Sequence, residues 1–369
     1  MATFVKASVP AGARTLEGRW FLSPEVFAAE QERIFAREWI CVAREEQVAE
    51  PGQYVVVSVA GESLILTRGL SGEIHAFYNV CRHRGTRICE DGSGRFAGSI
   101  QCPYHAWTYG IDGALKAARN MQDVAGFSVA DYGLKRVAAA RWEGFVFVCL
   151  AEQPAAFDEA FAPLLGRFAR WNIAALRTAR TIRYELQCNW KLVVQNYSEC
   201  YHCPLVHPQL ERLSPSDSGR NDLDEGPFLG GYSELRARGT SLTTSGHSGR
   251  APVGSVDGAD LDRVYYYAIF PSMLLSLHPD YVMVHTLHPL APDRTAIDCS
   301  WLFDPSEMSK ADFDPSDAVD FWDMTNRQDW DVNERTQRGI ASRSYEPGPY
   351  SNAEGLLAAF DRHYRSVMR

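Results

Sequence analysis

Two short loops, each with one cysteine and one histidine, constrain this chain more than any other feature of its sequence. The first loop holds Cys81 and His83 and ends at Gly85. The second holds Cys102 and His105, and eighteen residues separate His83 from Cys102. Thiolates and imidazoles in paired loops can bind a tetrahedral zinc ion or a cluster of two irons. In either case the two loops must face each other across the metal.

The order of the four donors favours the iron cluster. Zinc modules usually pair cysteine with cysteine and histidine with histidine, whereas each loop here supplies one thiolate and one imidazole. A Rieske [2Fe–2S] centre has two cysteines on one iron and two histidines on the other, a donor set that facing loops of this composition supply. Gly85 also allows the backbone to approach a cluster closely. A zinc site remains the alternative from these residues alone.

The residues around the two loops indicate a small antiparallel sheet domain over residues 39–152. Short runs of β-forming residues alternate there with turn sequences rich in glycine. Before this domain, Ser23 and Pro24 are typical of a helix start, with Ser23 as the N-cap. We predict that residues 1–38 form a helical segment that packs on the second domain. The strands that we predict in the sheet domain include 54–59, 63–67 and 74–78.

A second set of candidate metal ligands lies in residues 189–208, where neutral imidazoles suit divalent iron, copper or zinc. Glu199 and His202 lie three residues apart and would share one face of a helix. On an unbroken helix His207 would lie roughly 140° around from His202, so the two imidazoles could not hold one metal. Pro204 between them predicts a kink or a helix end that brings His207 back. The alternative is a core histidine and a surface histidine near a helix end.

The length and composition of the chain indicate two domains and exclude several classes of protein. Its 369 residues suffice for two cores, and its formal charge of 37 − 46 = −9, without any basic block, argues against a nucleic-acid partner. It has no run of about 18 apolar residues and no secretion signal, so we predict no membrane partner and a cytoplasmic location. The nine cysteines then indicate metal ligands and buried thiols, with Cys200 and Cys203 as core residues, and not a disulfide framework.

The second domain, residues 153–369, has the pattern of an α+β fold. Its β-rich runs precede a long helical stretch, whereas Ser214–Gly226 is among the least sheet-like parts of the chain. The strands that we predict here are 264–270, 273–277, 282–288 and 296–303, and the helices are 317–339 and 353–368.

Together these motifs resemble those of the α subunit of a Rieske non-haem iron oxygenase. The two loops match the Cys-x-His and Cys-x-x-His motifs of that family, and residues 189–208 match its mononuclear iron motif, so the resemblance covers nearly the full length. It implies an N-terminal all-β Rieske domain and a C-terminal catalytic domain in which a curved antiparallel sheet grips a helix. The ligands that it implies are Cys81 and Cys102 on one cluster iron, His83 and His105 on the other, and His202 and His207 on a mononuclear Fe(II).

The mononuclear iron needs a carboxylate as its third ligand. A triad of two histidines and one carboxylate leaves positions open for oxygen. The resemblance implies that this carboxylate is Asp329, in the helical stretch 317–339. Asp323 and Asp331 are its rivals.

The resemblance also implies a homotrimer, in which the working unit is an interface between subunits. Glu199 is similar in position to the family's bridging acid, and would accept hydrogen bonds from His105 of one subunit and His202 of the next. The chain has no glycine-rich dinucleotide motif, which implies that a separate NAD(P)H-dependent reductase supplies the electrons. They would pass from the cluster to the mononuclear iron, where a mono- or dioxygenase reduces dioxygen and oxidises its substrate.

The residues around Glu199 indicate the class of substrate. They resemble members of the family that attack quaternary ammonium compounds such as choline, carnitine and betaines, for which N-demethylation is the expected reaction. The alternative is hydroxylation or O-demethylation of an aromatic acid, which would favour Arg or Lys in the pocket. A more remote alternative is a non-enzymatic electron carrier or a zinc-binding protein. The candidates for an aromatic cage around a methylated ammonium are Tyr201, Tyr265, Tyr266, Tyr267, Phe270, Trp301 and Trp322.

Overall fold

The computed structural model describes residues 3–90 and 92–369. The chain divides into two compact units, one of Phe35–Ala160 and one of Met1–Ile34 together with Phe161–Arg369. The smaller unit begins a few residues before the predicted boundary at 39, and the larger unit resumes a few residues after the predicted boundary at 153. No helix in the described residues is both long enough and apolar enough to cross a lipid bilayer.

The smaller unit is built on antiparallel strands, as its β-rich sequence predicts. The strand Phe145–Cys149 is buried along its whole length, and the three predicted strands are confirmed within one or two residues. In the described residues, the order across its seven-stranded sheet is Ile40–Arg44, Phe145–Cys149, Arg136–Trp142, Ile74–Tyr78, Glu62–Arg68, Gln53–Val59 and Ser93–Arg95. Its three-stranded sheet consists of Ser99–Gln101, Thr108–Gly110 and Leu115–Ala117.

Side chains from both sheets form one core beneath the cysteine–histidine loops. Ile65 and Phe77 of the large sheet pack in the same buried cluster as Tyr109 of the small sheet. Cys81 and Cys102 belong to this cluster too. The inner end of each loop is therefore held against a close-packed apolar core.

The larger unit is an antiparallel sheet with helices packed against it, which confirms the predicted α+β fold. The edge strand Arg177–Leu186 pairs along its whole length with Arg294–Phe303. The long helix Ser316–Ile340 contacts both that edge strand and the helix Trp190–Tyr197. In the described residues, the order across the seven-stranded sheet is Arg177–Leu186, Arg294–Phe303, Val282–Ala291, Met273–Leu277, Arg263–Ile269, Phe228–Glu234 and Arg220–Leu223.

Side-chain caps start several of the helices. The hydroxyl of Ser23 accepts a hydrogen bond from the Val26 N–H (3.2 Å) at the start of Pro24–Glu30, as predicted. Asn189 caps Trp190–Tyr197 in the same way. The other helical segments are Arg19–Leu22, Gln31–Phe35, Glu45–Val48, Val129–Tyr132, Phe157–Ala160, Ala169–Trp171, Ile173–Ala175, Cys203–Val206, Pro208–Leu213, Ser216–Ser218, Gly258–Asp262, Pro305–Met308, Ser316–Ile340 and Gly355–Val367.

In the described residues, three strands of the larger unit were not predicted: Arg177–Leu186, Arg220–Leu223 and Phe228–Glu234. Ser214–Gly226 contains the strand Arg220–Leu223, so our expectation for that segment is wrong in its second half. The neighbouring strand Phe228–Glu234 contains Gly230 and Gly231, and glycine usually weakens a strand. A Cβ at either glycine would collide with a backbone carbonyl oxygen of the adjacent strand, so the close approach of the strands requires both.

A buried ion pair joins the N-terminal segment to the rest of the larger unit. The side chains of Glu30 and Lys191 are fully buried, and Lys191 Nζ lies 2.5 Å from Glu30 Oε1. The Trp190 indole N–H donates to Glu30 Oε2 (2.9 Å), and the Tyr364 hydroxyl donates to Oε1 (2.5 Å). Burial lowers the pKa of Lys191, and the charge of Glu30 opposes that shift. Each charge therefore depends on the other to remain inside the protein.

Removal of one charge from this pair should destabilise the protein far more than removal of a surface charge. We expect Glu30→Gln to lower the free energy of unfolding by about 3–5 kcal/mol, because it leaves a buried ammonium group unpaired. The double variant Glu30→Gln/Lys191→Met should recover most of the lost free energy of unfolding, because it no longer buries an unpaired charge. Asp331→Asn, which breaks an exposed ion pair with Arg335, is the control and should cost less than about 1 kcal/mol. Scanning calorimetry checks this, and equal melting temperatures for Glu30→Gln and the control would contradict it.

Candidate metal centres

The chain changes direction within the predicted iron motif. The helix Trp190–Tyr197 ends before Glu199, and the short helix Cys203–Val206 starts directly after His202. Glu199 and His202 therefore do not share a helix face, which corrects our prediction. The carboxylate of Glu199 closes the bend between the helices by accepting hydrogen bonds from the backbone N–H groups of Tyr201 and His202. Such side-chain acceptors compete with the backbone hydrogen bonds that would continue a helix.

The proline in this motif starts a helix instead of kinking one. Pro204 lies in the first turn of Cys203–Val206, where its missing N–H costs no hydrogen bond. That helix ends before His207, and Pro208 opens the next one. As a result the rings of His202 and His207 lie with their centroids 5.1 Å apart.

Three side chains converge beside this bend. Nε2 of His207 lies 2.8 Å from Oδ1 of Asp329, and Nε2 of His202 lies 3.2 Å from the same oxygen. Asp329 belongs to the long helix Ser316–Ile340. In the part of the chain that the structure describes, these residues form one group whose ligand atoms all lie within 4.8 Å of one another. Two imidazoles and a carboxylate are a donor set that suits Fe(II).

Each imidazole is held by an acceptor at its other nitrogen. Nδ1 of His202 lies 2.5 Å from Oε1 of Glu199, and Nδ1 of His207 lies 2.7 Å from Oε1 of Gln328. Both oxygens accept a hydrogen bond from Nδ1–H, which leaves the Nε2 lone pair free to bind a metal. Outer partners of this kind usually set the tautomer and the ring orientation of histidine ligands. The residues present therefore fit a mononuclear iron.

The charges at this site favour a bound cation. Burial raises the pKa of Asp329, but hydrogen bonds with His202 and His207 outweigh it and bring the pKa below its usual value. Burial lowers the pKa of His202, but hydrogen bonds with Asp329 and Glu199 outweigh it and raise the pKa to about 10. Without an ion, these carboxylates therefore keep a proton on His202 at neutral pH. An iron ion would supply that positive charge.

The two rival aspartates have other partners. Asp323 accepts a hydrogen bond from the Tyr184 hydroxyl (2.6 Å) and pairs with Arg327 (2.8 Å). Asp331 is exposed and pairs with Arg335 (2.7 Å). At 100° per residue, neither position shares the face of the long helix that Asp329 occupies.

The three converging side chains line a cavity of about 200 Å³. Of the candidates for an aromatic cage, Tyr266 and Trp322 lie on its wall. Tyr265 and Tyr267 do not, because adjacent residues of a strand point to opposite faces. Their hydroxyls donate instead to aspartate carboxylates at 2.6 and 3.0 Å.

The other candidates for the cage also lie outside the cavity wall. Tyr201 is 65% exposed, and Phe270 and Trp301 are buried in the core. Our prediction is therefore wrong for these three and for the two strand neighbours of Tyr266. Lys6 lines the cavity as a basic residue. The further aromatic side chains on its wall are Tyr197, Tyr232 and Trp330.

The two cysteine–histidine loops of the smaller unit have the same backbone turn. The Gly85 N–H donates to the carbonyl oxygen of Cys81 (3.0 Å), and the Ala106 N–H donates to that of Cys102 (3.1 Å). Gly85 and Ala106 both have left-handed φ angles, of 75° and 54°. A residue with a side chain is unusual in this conformation, which marks Ala106 as a strained position.

Each loop directs its thiol inward and its imidazole toward the surface. Cys81 and Cys102 are buried, and burial raises the pKa of the Cys81 thiol against a hydrogen bond from Tyr109. The rings of His83 and His105 lie 4.7 Å apart between centroids. In the described residues Nδ1 of His83 is buried without a hydrogen-bond partner, as expected for a metal ligand. The residues present therefore fit a cluster with an inner Cys₂ iron and an outer His₂ iron.

A disulfide bond joins Cys200 and Cys203, so our prediction that both are core thiols is wrong. The bend around His202 brings their Cα atoms to 4.9 Å, which lies within the range of disulfides. The Cys-x-x-Cys spacing was the signal for this bond. The other cysteines that the structure describes as free are buried, as predicted.

Comparison with known proteins identifies the family. Residues 38–128 match the model of the Rieske [2Fe-2S] domain, and residues 173–369 match that of the ring hydroxylating alpha subunit (catalytic domain). The chain belongs to the ring-hydroxylating α subunits of Rieske oxygenases. It is an oxidoreductase whose Rieske domain carries a [2Fe–2S] cluster and whose catalytic domain carries mononuclear iron.

Oxygenase subunits of two monooxygenases are among its relatives. The glycine betaine monooxygenase oxygenase subunit of Chromohalobacter salexigens is 33% identical over 92% of this chain and 82% of its own length. The carnitine monooxygenase oxygenase subunit of Acinetobacter baumannii is 38% identical over 54% of each chain. Among solved structures, the quaternary ammonium Rieske monooxygenase CntA matches with a TM-score of 0.82 and 26% identity over 96% of both chains.

Sequence reasoning missed several residues that support the two centres. Gln328 holds His207, and its position directly before Asp329 is a signal that could have identified it. The Tyr109 hydroxyl lies 3.2 Å from the sulfur of Cys81 and accepts a hydrogen bond from the Arg82 N–H (3.0 Å). Tyr109 is far from that loop in sequence, so spacing alone does not mark it.

Removal of one residue of the converging group should empty the mononuclear site without affecting the cluster. We expect His202→Ala and Asp329→Ala each to lose one iron per subunit and all turnover, because a triad with a missing ligand binds Fe(II) weakly. The visible spectrum of the cluster should stay unchanged. Asp331→Ala, on the same helix, is the control and should retain iron and activity. Metal analysis and absorption spectra check this, and loss of the cluster from a folded His202→Ala protein would count against the assignment.

Proposed function

We propose that this chain is the terminal oxygenase of a system that oxidises a quaternary ammonium compound by N-demethylation. A separate NAD(P)H-dependent reductase supplies the electrons. We place the system in the cytoplasm, a location that the free, buried cysteines support, although Cys200 and Cys203 form a disulfide. The observation that carries the proposal is a cavity with an aromatic wall beside the proposed ligands of the mononuclear iron. The proposed ligands are His202, His207 and Asp329 for the mononuclear iron and Cys81, His83, Cys102 and His105 for the cluster.

The cavity wall suits a cation that cannot donate hydrogen bonds. A quaternary ammonium group has no N–H, so aromatic faces are its natural partners, at about 0.5–2 kcal/mol for each ring. Tyr266 and Trp322 offer such faces, and Glu199 and Asp329 place carboxylates on the same wall. Relatives named for glycine betaine and carnitine support the same class of substrate.

The reaction that we propose is balanced by dioxygen and the electrons of the reductase. Bound iron supplies the position at which dioxygen is reduced. Glu199 and Gln328 keep the two imidazoles oriented toward that position. The aromatic wall holds an N-methyl group there and excludes water. With O₂, two electrons and two protons, N–CH₃ becomes N–CH₂OH and water forms; the carbinolamine then releases formaldehyde and a proton and leaves a tertiary amine.

An aromatic acid is the second candidate substrate, because Lys6 lines the cavity. Its ammonium group could pair with a carboxylate. A betaine carries a carboxylate too, so Lys6 does not separate the two classes. The rings of Tyr266 and Trp322 favour the cationic substrate, since the face of an aromatic ring attracts a cation and not an anion.

A substrate screen tests the class. With a generic reductase, we expect trimethylammonium compounds to stimulate oxygen uptake and to release formaldehyde. Trp322→Leu should raise the KM for such a compound roughly 2- to 30-fold, the equivalent of one cation–π contact, whereas Trp322→Phe should change it less. Stimulation by neutral or anionic aromatic compounds alone would contradict the proposal and favour the second candidate.

We propose further that three copies assemble into a ring. Leu205 is 89% exposed and Tyr201 is 65% exposed, both beside the mononuclear site. Tyr104 is 57% exposed, beside His105 on the tip of a cluster loop. Apolar residues at two different surfaces suit a heterologous contact, which closes into a ring. In that ring Glu199 would bridge His202 to His105 of the neighbouring subunit.

Mixed oligomers test this assembly. Subunits with Cys81→Ala lack the cluster, and subunits with His202→Ala lack the mononuclear iron, so neither variant alone should turn over. Co-expressed mixtures should regain measurable activity, because electrons cross from one subunit to the next. Mixed trimers that retain both kinds of site but stay inactive would show that the electron route lies within one subunit and that Glu199 is not a bridge.

A further inference from the structure

His285 is a buried histidine on the wall of the substrate cavity. It lies on the strand Val282–Ala291, is 2% exposed, and lines the same cavity as the three converging side chains. His288, three residues further along the strand, points to the other face and pairs with Asp298 (3.0 Å). The two histidines of this strand therefore have different surroundings, and His285 alone can meet a substrate.

The side chains around Asn326 determine which nitrogen of His285 carries its proton. Asp323 pairs with Arg327. Burial raises the pKa of Asp323, but Arg327 and Tyr184 outweigh it and hold that pKa below its usual value. As a carboxylate, Asp323 can only accept hydrogen bonds, so the Tyr184 hydroxyl donates to it (2.6 Å). Burial raises the pKa of Tyr184, and the amide group of Asn326 opposes that shift.

The amide group of Asn326 contacts the histidine through its oxygen. Its Nδ2 donates to the sulfur of Cys299 (3.6 Å). Its Oδ1 lies 3.2 Å from Nε2 of His285 and can only accept. Nε2 therefore carries the proton, and Nδ1 of His285 has a lone pair.

That lone pair lacks a partner, and an unused donor lies near it. In the described residues Nδ1 of His285 and Nε1 of Trp330 are both buried without a hydrogen bond. Both residues line the cavity, and their ring centroids are 6.1 Å apart. One group is an acceptor and the other is a donor. A hydroxyl group, which both donates and accepts, can satisfy the two together.

We propose that His285 and Trp330 form a hydroxyl subsite, so that the preferred substrate is a quaternary ammonium alcohol. The inference rests on the proposed function and names its substrate class more narrowly. The aromatic wall binds the methylated cation, and the subsite binds the hydroxyl of the same molecule. A substrate without this hydroxyl leaves both polar groups buried and unpaired, which weakens its binding.

Binding of matched ligands to the anaerobic holoenzyme tests the subsite. Calorimetry would compare choline with n-propyltrimethylammonium, and carnitine with γ-butyrobetaine, pairs that differ at the hydroxyl. We expect the hydroxylated member of each pair to bind about tenfold or more tightly. His285→Phe should reduce this ratio to about one, and His285→Asn, which keeps an acceptor near the position of Nδ1, should restore part of it. His288→Phe on the same strand is the control and should leave the ratio unchanged.

The outcomes separate this inference from the proposed function. Equal affinities within both pairs would overturn the subsite, as when a water molecule satisfies both groups, while the quaternary ammonium proposal stands. A preference for the hydroxyl that survives in folded, iron-loaded His285→Phe would overturn it as well. If no trimethylammonium compound binds and aromatic acids do, the proposed function fails and the subsite fails with it.

Discussion

The buried ion pair of Glu30 and Lys191 fixes the helix from which the iron motif emerges. Lys191 lies in the first turn of Trp190–Tyr197, and a full charge without solvent permits little movement. Asn189 at the same end donates its N–H to the side chain of Gln337 on the long helix (3.0 Å). The bend that carries His202 therefore starts from a fixed point, and the helix that carries Asp329 is tied to the same point.

Two carboxylates contact the imidazoles of the mononuclear site. Glu199 and Asp329 surround two imidazoles, and without an ion they keep a proton on His202. The same carboxylates line the cavity in which the substrate is proposed to bind. The carboxylates thus favour Fe(II), and by our proposal the aromatic rings of the same wall favour the methylated ammonium.

Residue type and spacing predicted the donor sets because ligand chemistry is local. The two loops and the candidates His202 and His207 were named in this way, whereas Asp329 was implied by the resemblance to the family. The helical relation of Glu199 to His202 was predicted wrongly, because the Glu199 carboxylate takes the N–H groups that a helix would need. The aromatic cage was predicted from composition. Whether a given ring lines the cavity depends, however, on which face of its strand it occupies. Gln328 and Asn326 act through contacts between distant segments, and a single sequence does not encode those contacts visibly.

The central claim is that one chain holds a two-iron cluster and a separate mononuclear iron at the residues named. Anomalous diffraction from crystals of the holoenzyme, with data above and below the iron absorption edge, tests it most directly. The account predicts one iron peak among His202, His207 and Asp329, and a pair of iron peaks between the loops of Cys81 and Cys102. A zinc signal between those loops, or no iron peak beside Asp329 in protein that turns over, would contradict it.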